Sequence, residues 1–375
     1  MSLQFITGNS GNGKTKYLFN RIVKEAKANP RDNYLVIVPE QFTMQTQRQL
    51  VDLSENKAIM NIDVLSFKRL AYRVFDELGI TNLTVLEETG KNLVLRKLAA
   101  QEADKLGVIG RNLNRIGYIS EVKSLLSELV QYNISPEELG RYIASGRLSD
   151  TLSDKLKDVL VLYEAFEKFM QDKYITAEEI LNVLSNVAEE SAILRNSVIA
   201  FDEFTGFTPI QNQLIKKLFV ISKKIYVTLT IDCSEDIFKS RGMQELFDMP
   251  KRTVKSLTEM AAFYGIEVEE PIILDKNYRL AENEELSFME QQLFRKRRCS
   301  FKKAPKHIHI DCLRDPKQEL TKIARRINEL VRNENLRYRD IAIVTGDVNI
   351  YAGYVREIFD KYNIPYFIDA TQEIL

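Results

Sequence analysis

The chain has 375 residues, of which 53 are basic and 53 acidic, so its formal net charge is zero. This balance excludes a protein that binds nucleic acid through bulk positive charge, although a local basic channel remains compatible with DNA binding. No apolar run reaches the roughly 18 residues of a membrane span, and the N-terminus lacks the plan of a signal peptide. Its three cysteines are widely separated and lack metal-ligand spacing, so we expect a cytoplasmic protein with reduced thiols and no membrane contact.

The first 88 residues alternate between short apolar runs and helical patterns. Residues 4–7 and 34–38 have the composition of buried strands, and residues 59–65 suggest a third. Apolar residues at helical spacing follow the first strand, over residues 14–27, and follow the third strand as well. Strands that alternate with helices predict a parallel α/β sheet.

Residues 89–195 have a different character, with helical patterns and no strand signal. Capping boxes at residues 135–138 and 176–179 mark two helix starts. Two apolar stripes at helical spacing, over residues 119–130 and 156–166, are typical of helix faces that pack into a core. We therefore predict a large helical insert in the α/β domain.

The α/β pattern returns in residues 196–285, with strands predicted at residues 198–201 and 225–229. A polar, charged connection follows and contains the basic run 295–298. A solvated linker explains this run at least as well as contacts with phosphate groups do.

A second α/β unit is predicted for residues 286–375. One of its helices is opened by Asp315 and Pro316, and another covers about residues 350–361. Alternating apolar residues predict its strands at residues 306–312, 341–344 and 366–368.

Residues 8–15, GNSGNGKT, fit the phosphate-loop pattern G-x-x-x-x-G-K-[ST]. Lys14 would reach the β- and γ-phosphates of ATP, and the Thr15 hydroxyl would ligate Mg²⁺. A strand precedes the segment and a helix follows it, which is the context that such a loop requires; the alternative is a chance glycine-rich turn. Three glycines permit backbone angles that turn successive N–H groups towards a bound anion: Gly8, Gly11 and Gly13.

A phosphate loop also needs an acidic residue at the end of a neighbouring strand. Asp202 and Glu203 follow the apolar run 198–201 and supply this feature. Asp202 would hold Mg²⁺ through water, and Glu203 would orient or deprotonate the attacking water. An acidic pair in a loop is weak evidence by itself, and its place behind a phosphate loop strengthens it.

These segments resemble the motifs of superfamily 1 helicases. Residues 201–211, FDEFTGFTPIQ, resemble their Asp-Glu-Phe-Gln…Gln motif. Residues 64–73, VLSFKRLAYR, resemble the segment of that family that lies along single-stranded DNA. Residues 274–279, LDKNYR, resemble the Gln-Asn-Tyr-Arg motif, which implies that Arg279 reaches the γ-phosphate as a catalytic residue.

The resemblance implies an α/β fold: a P-loop RecA-like parallel sheet with a large helical insert, followed by the start of a second RecA-like domain. The first RecA-like domain would comprise residues 1–88 and 196–285, interrupted by the helical insert at residues 89–195. Residues 286–375 would form an incomplete second RecA-like domain.

Within that superfamily the chain is most similar to the AddB (RexB) family, the B subunits of bacterial AddAB (RexAB) ATP-dependent helicase/nucleases. The distinctive pieces are residues 38–43, VPEQFT, residues 66–72, and residues 205–209, TGFTP. The resemblance implies an AddA-type partner that supplies the main motor, and action on double-stranded DNA ends in recombinational repair. It also implies scanning of the unwound single strand for the Chi hotspot. We expect a nuclease domain, and any cysteines for an iron–sulfur cluster, beyond Leu375, so the chain would be an N-terminal fragment.

Two features depart from an active motor of this superfamily. The glutamine that recognises adenine has no counterpart, because few residues precede Gly8. The segment that couples ATP to DNA appears only as residues 231–238, with Glu235 where the coupling glutamine is expected. We therefore expect ATP binding with weak or no translocation, and little ATP hydrolysis by this chain.

The family pattern also implies a surface that reads single-stranded DNA. Aromatic rings stack on exposed bases at roughly 1–3 kcal/mol per base, while amide and guanidinium groups bond base edges or phosphates. Spacing alone favours another role for Phe67 and Tyr72, as core residues of a helix against the sheet. The implied DNA-binding residues are Gln41, Thr43, Phe67, Arg69, Tyr72 and Phe207.

Three hypotheses of function remain open from the sequence. The leading one is a DNA-scanning subunit of a repair helicase/nuclease whose nucleotide site is structural or regulatory. The second is an autonomous ATP-dependent translocase, and the third is a P-loop kinase or ligase unrelated to DNA. Binding of single-stranded DNA that weakens steeply with salt would separate the first two from the third.

Overall fold

The computed structural model describes residues 1–81, 84–108, 110, 116–146, 148–171, 174–295 and 299–369. Within these ranges the chain is a mixed α/β protein that divides into two compact units, one mainly of residues 1–287 and one mainly of residues 299–369. No helix in the described ranges is both long enough and apolar enough to cross a membrane. Residues 296–298 of the predicted basic connection lie outside the described residues.

The larger unit is built around a parallel sheet. Its strands run in the order β3-β2-β6-β7-β1, and β8 and β9 both pair with β1. The central strands are nearly continuous apolar runs because helices cover both faces of the sheet. In chain order the strands are β1 (Ser2–Gly8), β2 (Tyr34–Ile37), β3 (Ile62–Leu65), β4 (Val85–Leu86), β5 (Ile175–Thr176), β6 (Val198–Phe201), β7 (Lys224–Thr230), β8 (Glu267–Val268) and β9 (Ile272–Leu274).

Helices cover both faces of this sheet and form the helical block and the smaller unit. The helices are α1 (Lys14–Ala28), α2 (Thr43–Leu53), α3 (Phe67–Leu78), α4 (Glu88–Gln101), α5 (Ile116–Gln131), α6 (Pro136–Ala144), α7 (Asp150–Met170), α8 (Ile180–Val187), α9 (Pro209–Ile221), α10 (Asp248–Phe263), α11 (Glu284–Gln292), α12 (Pro316–Asn333) and α13 (Val348–Lys361).

Two apolar cores fill the space between the sheet and these helices. On one face, α1 contributes Leu18, Phe19 and Ile22 to a core with β2 and β7. On the other face, α3, α8, α9 and α10 pack together, with Leu70 and Leu214 fully buried. Because all strands are parallel, their carboxyl ends meet at one edge of the sheet, and the loops that follow them lie side by side there.

The helical block of α4 to α7 has its own core, in which Leu95, Leu126 and Leu162 are buried. Both predicted capping boxes form: Ser135 accepts from the backbone N–H of Glu138, and Thr176 accepts from that of Glu179. The prediction that this region contains no strand is wrong in one place. The short strands β4 and β5 pair in parallel where the chain enters and leaves the block, because two extended segments that run side by side satisfy each other's backbone groups.

The smaller unit confirms both predicted helices and corrects the predicted strands. Asp315 caps α12, whose Leu320 and Ile327 pack against Ile358 of α13. Between residues 299 and 369, no described segment is a strand, so the strands predicted at residues 306–312, 341–344 and 366–368 are wrong. Alternating apolar residues predict a strand only where a neighbouring strand and a covering layer exist, and here their side chains are largely exposed, as at Ile310, Val344 and Phe367.

Candidate functional site

The glycine-rich loop joins the carboxyl end of β1 to the start of α1. Gly11 has φ +88°, and a Cβ there would lie 2.8 Å from the Cβ of Arg279, so the loop needs glycine for both its backbone angle and its close packing. Gly13 adopts a left-handed conformation, with φ 79°, immediately before the first turn of α1. The loop therefore lies at the positive N-terminal end of a helix, where backbone N–H groups of the first turn can donate to an anion.

Lys14 folds back over this loop. Its ammonium group donates to the carbonyl oxygens of Gly8 and Asn9, each at 3.0 Å. These are neutral acceptors, and a phosphate group above the loop would offer charged oxygens to the same ammonium. Lys14 is thus held close to where an anion would bind.

Thr15 lies opposite the acidic pair that follows β6. Its hydroxyl is 3.3 Å from Oδ1 of Asp202 and 3.4 Å from Oε1 of Glu203. β1 and β6 are both neighbours of β7 in the sheet, which is why residues so distant in sequence meet here. Glu203 has φ 64°, a left-handed conformation that is strained for a residue other than glycine and is often found at functional sites.

Asp202 is almost completely buried, with 1% of its surface exposed. Burial raises the pKa of its carboxyl, and the Thr228 hydroxyl of β7, which donates to Oδ1, partly opposes this effect. Among the described residues, Oδ2 has no hydrogen-bond partner. A buried carboxylate oxygen with an unused lone pair, next to a threonine hydroxyl, suits a hard divalent cation such as Mg²⁺ and its water ligands.

The other wall of the site comes from the segment after β9. The backbone N–H of Tyr278 donates to Gly11 at 3.0 Å, and the Asn277 amide donates to the Ser10 carbonyl at 3.0 Å. Arg279 Nη1 lies 3.4 Å from the Ser10 hydroxyl. The loop, the acidic pair and Arg279 therefore line one cleft of about 770 Å³.

This cleft brings together the residues that the sequence predicts for nucleotide, metal and catalysis, except Gly8, which ends β1 and does not line it. It combines backbone donors and two cationic side chains with a buried carboxylate and an exposed one. Such a set can hold a polyanion together with a divalent cation, and it can place an exposed carboxylate beside them.

The residues predicted to read DNA separate into exposed and buried members. Gln41 and Arg69 are exposed, Tyr72 is 38% exposed, and Phe207 is half-buried. Thr43 and Phe67 are buried, with 4% and 7% of their surfaces exposed, so they present almost no surface to a ligand. The core position that spacing favours for Phe67 is the one observed.

Phe67 belongs to an aromatic cluster under the loop that follows β6. Its ring stacks on Phe201 at 5.8 Å and meets Phe204 and Phe207 edge-on at 5.5 and 6.3 Å. The cluster joins the first turn of α3 to the segment after the acidic pair. Buried between them, Phe67 therefore stabilises both the first turn of α3 and the segment after the acidic pair.

Three contacts of the site involve residues to which the sequence patterns assign no role of their own. Glu40 accepts from the Ser66 hydroxyl and lies 3.4 Å from Nε of Arg69. The side chain of Asn9 accepts from the backbone N–H of Cys233 at 2.9 Å, which ties the glycine-rich loop to the segment after β7. Thr228 carries no sequence signal at all, because a threonine inside a strand is ordinary.

The segment after β7, where Glu235 replaces an expected glutamine, is held by ion pairs. Lys251 lies 2.6 Å from Glu235, and Asp232 accepts from Arg295 at 2.9 Å. Burial raises the pKa of Asp232, but the backbone N–H and the hydroxyl of Ser234 together with the guanidinium of Arg295 outweigh this effect and lower it. The carboxylate of Glu235 thus forms an ion pair within the protein.

The fold and the cleft define an α/β protein in which a glycine-rich loop and a buried acidic residue share the carboxyl edge of a parallel sheet. The family model described as "ADDB, N-terminal" matches residues 5–290. The chain therefore belongs to the AddB family and corresponds to its N-terminal portion, as the sequence motifs predict.

Similar proteins agree with this assignment. The chain is 38% identical over 380 residues to a protein of Lachnoclostridium phytofermentans, 33% identical over 382 residues to one of Clostridium tetani, and 34% identical over 379 residues to one of Clostridioides difficile. Each is named as the B subunit of an ATP-dependent helicase/deoxyribonuclease. The matches cover 100% of this chain but only 33%, 33% and 32% of the relatives, so the chain spans about a third of their length.

Proposed function

We propose that this chain is the P-loop, RecA-like nucleotide-binding part of the B subunit of a helicase/deoxyribonuclease, and that it reads single-stranded DNA beside its nucleotide site. One observation carries the nucleotide assignment. The Thr15 hydroxyl of the glycine-rich loop lies within 3.3 and 3.4 Å of the two carboxylates that follow β6. A chance glycine-rich turn would not need an acidic pair at this place.

In this proposal the backbone N–H groups of residues 8–15 and the Lys14 ammonium bind the phosphates of ATP. Thr15 and Asp202 hold Mg²⁺, and Glu203 orients a water molecule towards the terminal phosphate. Arg279 reaches the same cleft from the opposite wall. A bound Mg²⁺ would neutralise part of the charge on the β- and γ-phosphates.

We further propose that nucleotide binding here is regulatory or structural, and that an AddA-type partner supplies the motor. Glu235 stands where a coupling glutamine is expected, and it forms an ion pair with Lys251. The names of the relatives, which describe one subunit of a complex, support a partner. In the assembly the chain would act on double-stranded DNA ends and scan the unwound strand for Chi during recombinational repair.

The single-strand surface would comprise the exposed members of the predicted set. Gln41, Arg69, Tyr72 and Phe207 offer one amide, one guanidinium and two aromatic rings. The first three lie on loops and helix starts that follow β2 and β3, and the fourth follows β6. These groups can bond base edges and stack on bases.

Calorimetric titration with a non-hydrolysable ATP analogue, with and without Mg²⁺, tests the nucleotide site. We expect Mg²⁺-dependent binding that Lys14→Ala abolishes, while Lys24→Ala, on the exposed side of α1, leaves it unchanged. Equal binding by both variants would overturn the assignment. In the assembled complex Lys14→Ala should leave most unwinding intact, and complete loss of unwinding would show that this site is itself a motor.

An autonomous ATP-dependent DNA translocase is the second candidate. The observation that favours it is the presence of both predicted catalytic residues, Glu203 and Arg279, at one cleft. It requires DNA-stimulated ATP hydrolysis by the full-length protein without a partner, abolished by Glu203→Gln. The absence of such hydrolysis would leave the regulatory site as the better account.

A further inference from the structure

A groove runs between α9 and α10 on the outer side of the larger unit. It is formed by two adjoining cavities of about 420 and 560 Å³ that share Tyr132, Pro209, Asn212 and Ser256. The first cavity begins at Phe207, and the second ends at Phe263. The groove is therefore continuous with the surface proposed above to read single-stranded DNA.

Several aromatic side chains along this groove are exposed to solvent. Phe263 at the end of α10 is 82% exposed, and it meets Tyr264 edge-on with ring centroids 5.0 Å apart. Tyr132, from the loop between α5 and α6, is 60% exposed on the other side. Large apolar side chains exposed together on a groove mark a binding surface.

Cations line both helical walls of the groove. Lys216 of α9 is exposed and forms no ion pair or hydrogen bond with any described residue. Arg252 of α10 uses Nε to contact Asp248 at 2.8 Å, and the described contacts leave its two terminal nitrogens without a partner. The acidic residue on the groove, Glu259, faces Lys255 at 3.8 Å. The lining therefore favours an anionic occupant.

Amide side chains complete the lining between the rings and the cations. Asn212 and Gln213 of α9 and Asn133 beside Tyr132 all border the groove. A surface that combines aromatic rings, amides and cations suits a single strand of nucleic acid. The rings stack on bases of any sequence, and the cations pair with phosphates. A bound protein segment would account for the exposed aromatic rings, but it would not require unpaired cations on both walls.

We propose that the single strand continues from Phe207 into this groove, where Tyr132 and Phe263 stack on its bases and Lys216 and Arg252 contact its phosphates. The inference rests on the proposed function, since it extends the same DNA path. Contacts of this kind carry no base code. The groove would hold the strand independently of sequence, while Gln41 and Arg69 are placed to read base edges.

Fluorescence anisotropy with a labelled single strand of about 16 nucleotides tests the proposal on this chain. The double variant Tyr132→Ala/Phe263→Ala should weaken binding roughly thirtyfold or more, because two stacking contacts are lost. Lys216→Ala should reduce the slope of log affinity against log salt by about one. Tyr142→Ala, an exposed tyrosine of α6 away from the groove, is the matched control and should bind as the unmodified chain does.

Arg69→Ala separates failure of this inference from failure of the proposed function. If the unmodified chain does not bind the strand, both are wrong. If Arg69→Ala weakens binding and the double variant does not, only the groove assignment is overturned. Loss of association with the purified partner protein, with DNA affinity unchanged in the double variant, would make the groove a protein interface and would likewise overturn the proposal.

Discussion

The hydroxyl of Thr15 lies 3.3 Å from Oδ1 of Asp202, although 187 residues separate the two in sequence. The whole helical block lies between them along the chain, and the contact forms because β1 and β6 both pair with β7. Asp202 is held from the other side by Thr228 of β7. Removing the charge of Asp202 therefore affects both the stability of the sheet edge and the proposed metal site.

Asp202→Asn should stabilise the protein at neutral pH. Burial raises the pKa of this carboxyl above its ordinary value of 3.8, so the folded state binds the proton more tightly than the unfolded state. Its contribution to stability is therefore complete below the unfolded pKa and declines as the pH rises through the folded pKa. We expect the unfolding temperature of the variant to exceed that of the unmodified chain by a few degrees at pH 8, at about 2–4 °C per kcal/mol.

The same substitution should abolish the Mg²⁺-dependent part of nucleotide binding. Thermal unfolding across a pH series, with and without Mg²⁺ and an ATP analogue, measures both effects. Asp76→Asn on the exposed side of α3 is the control. A variant that is less stable than the unmodified chain at pH 8, or whose advantage grows as the pH falls, would contradict the prediction.

Arg69→Ala should weaken binding of single-stranded DNA with little effect on stability. The ion pair of Arg69 with Glu40 is exposed, and such pairs contribute about 0–1 kcal/mol. A guanidinium that contacts a guanine or a phosphate is worth about 1–3 kcal/mol, so we expect roughly a tenfold loss of affinity. Lys24→Ala, on the exposed side of α1, is the control for loss of a positive charge, and anisotropy titrations at two salt concentrations give the comparison.

Phe67→Ala should destabilise the larger unit by about 3–5 kcal/mol, because it empties the centre of the aromatic cluster. Phe67→Leu keeps most of the volume and should cost less than about 1.5 kcal/mol. Tyr72→Ala on the same helix removes a ring that is 38% exposed and should cost much less than Phe67→Ala. Urea denaturation measures all three. Comparable losses for Phe67→Ala and Tyr72→Ala would show that Phe67 is not a core residue.

Lys91→Ala should destabilise the helical block beside the β4–β5 pair. Lys91 is 2% exposed and lies 2.7 Å from Glu178 and 2.8 Å from Glu88. Removing it leaves the largely buried carboxylate of Glu178 without its partner, at a cost of about 3–5 kcal/mol. Lys105→Ala breaks a pair with Glu102 whose lysine is exposed to solvent, and it should leave the stability nearly unchanged. Similar unfolding curves for the two variants would contradict the prediction.

Periodicity predicted most elements of the larger unit because local pattern and tertiary environment agree there. The strand at Val198–Phe201 has the predicted bounds, and α1 begins at Lys14, where the helical pattern predicts it to begin. In both elements, the faces that carry the apolar residues are buried against neighbouring elements. The same reasoning failed for residues 306–312, where Ile310 is 94% exposed, since an alternating pattern cannot supply the strand that must lie beside it.

The sequence by itself determined that a glycine-rich loop precedes a helix at Lys14, that an acidic pair ends a buried strand, and that the family is AddB. These follow from residue order, because a loop motif and its flanking elements are local. Only the tertiary structure decided that Thr228 supports Asp202, that Glu40 contacts Arg69 and that Phe67 is buried. Those facts depend on which strands become neighbours and which side chains are covered, and both are set by packing between segments far apart in the chain.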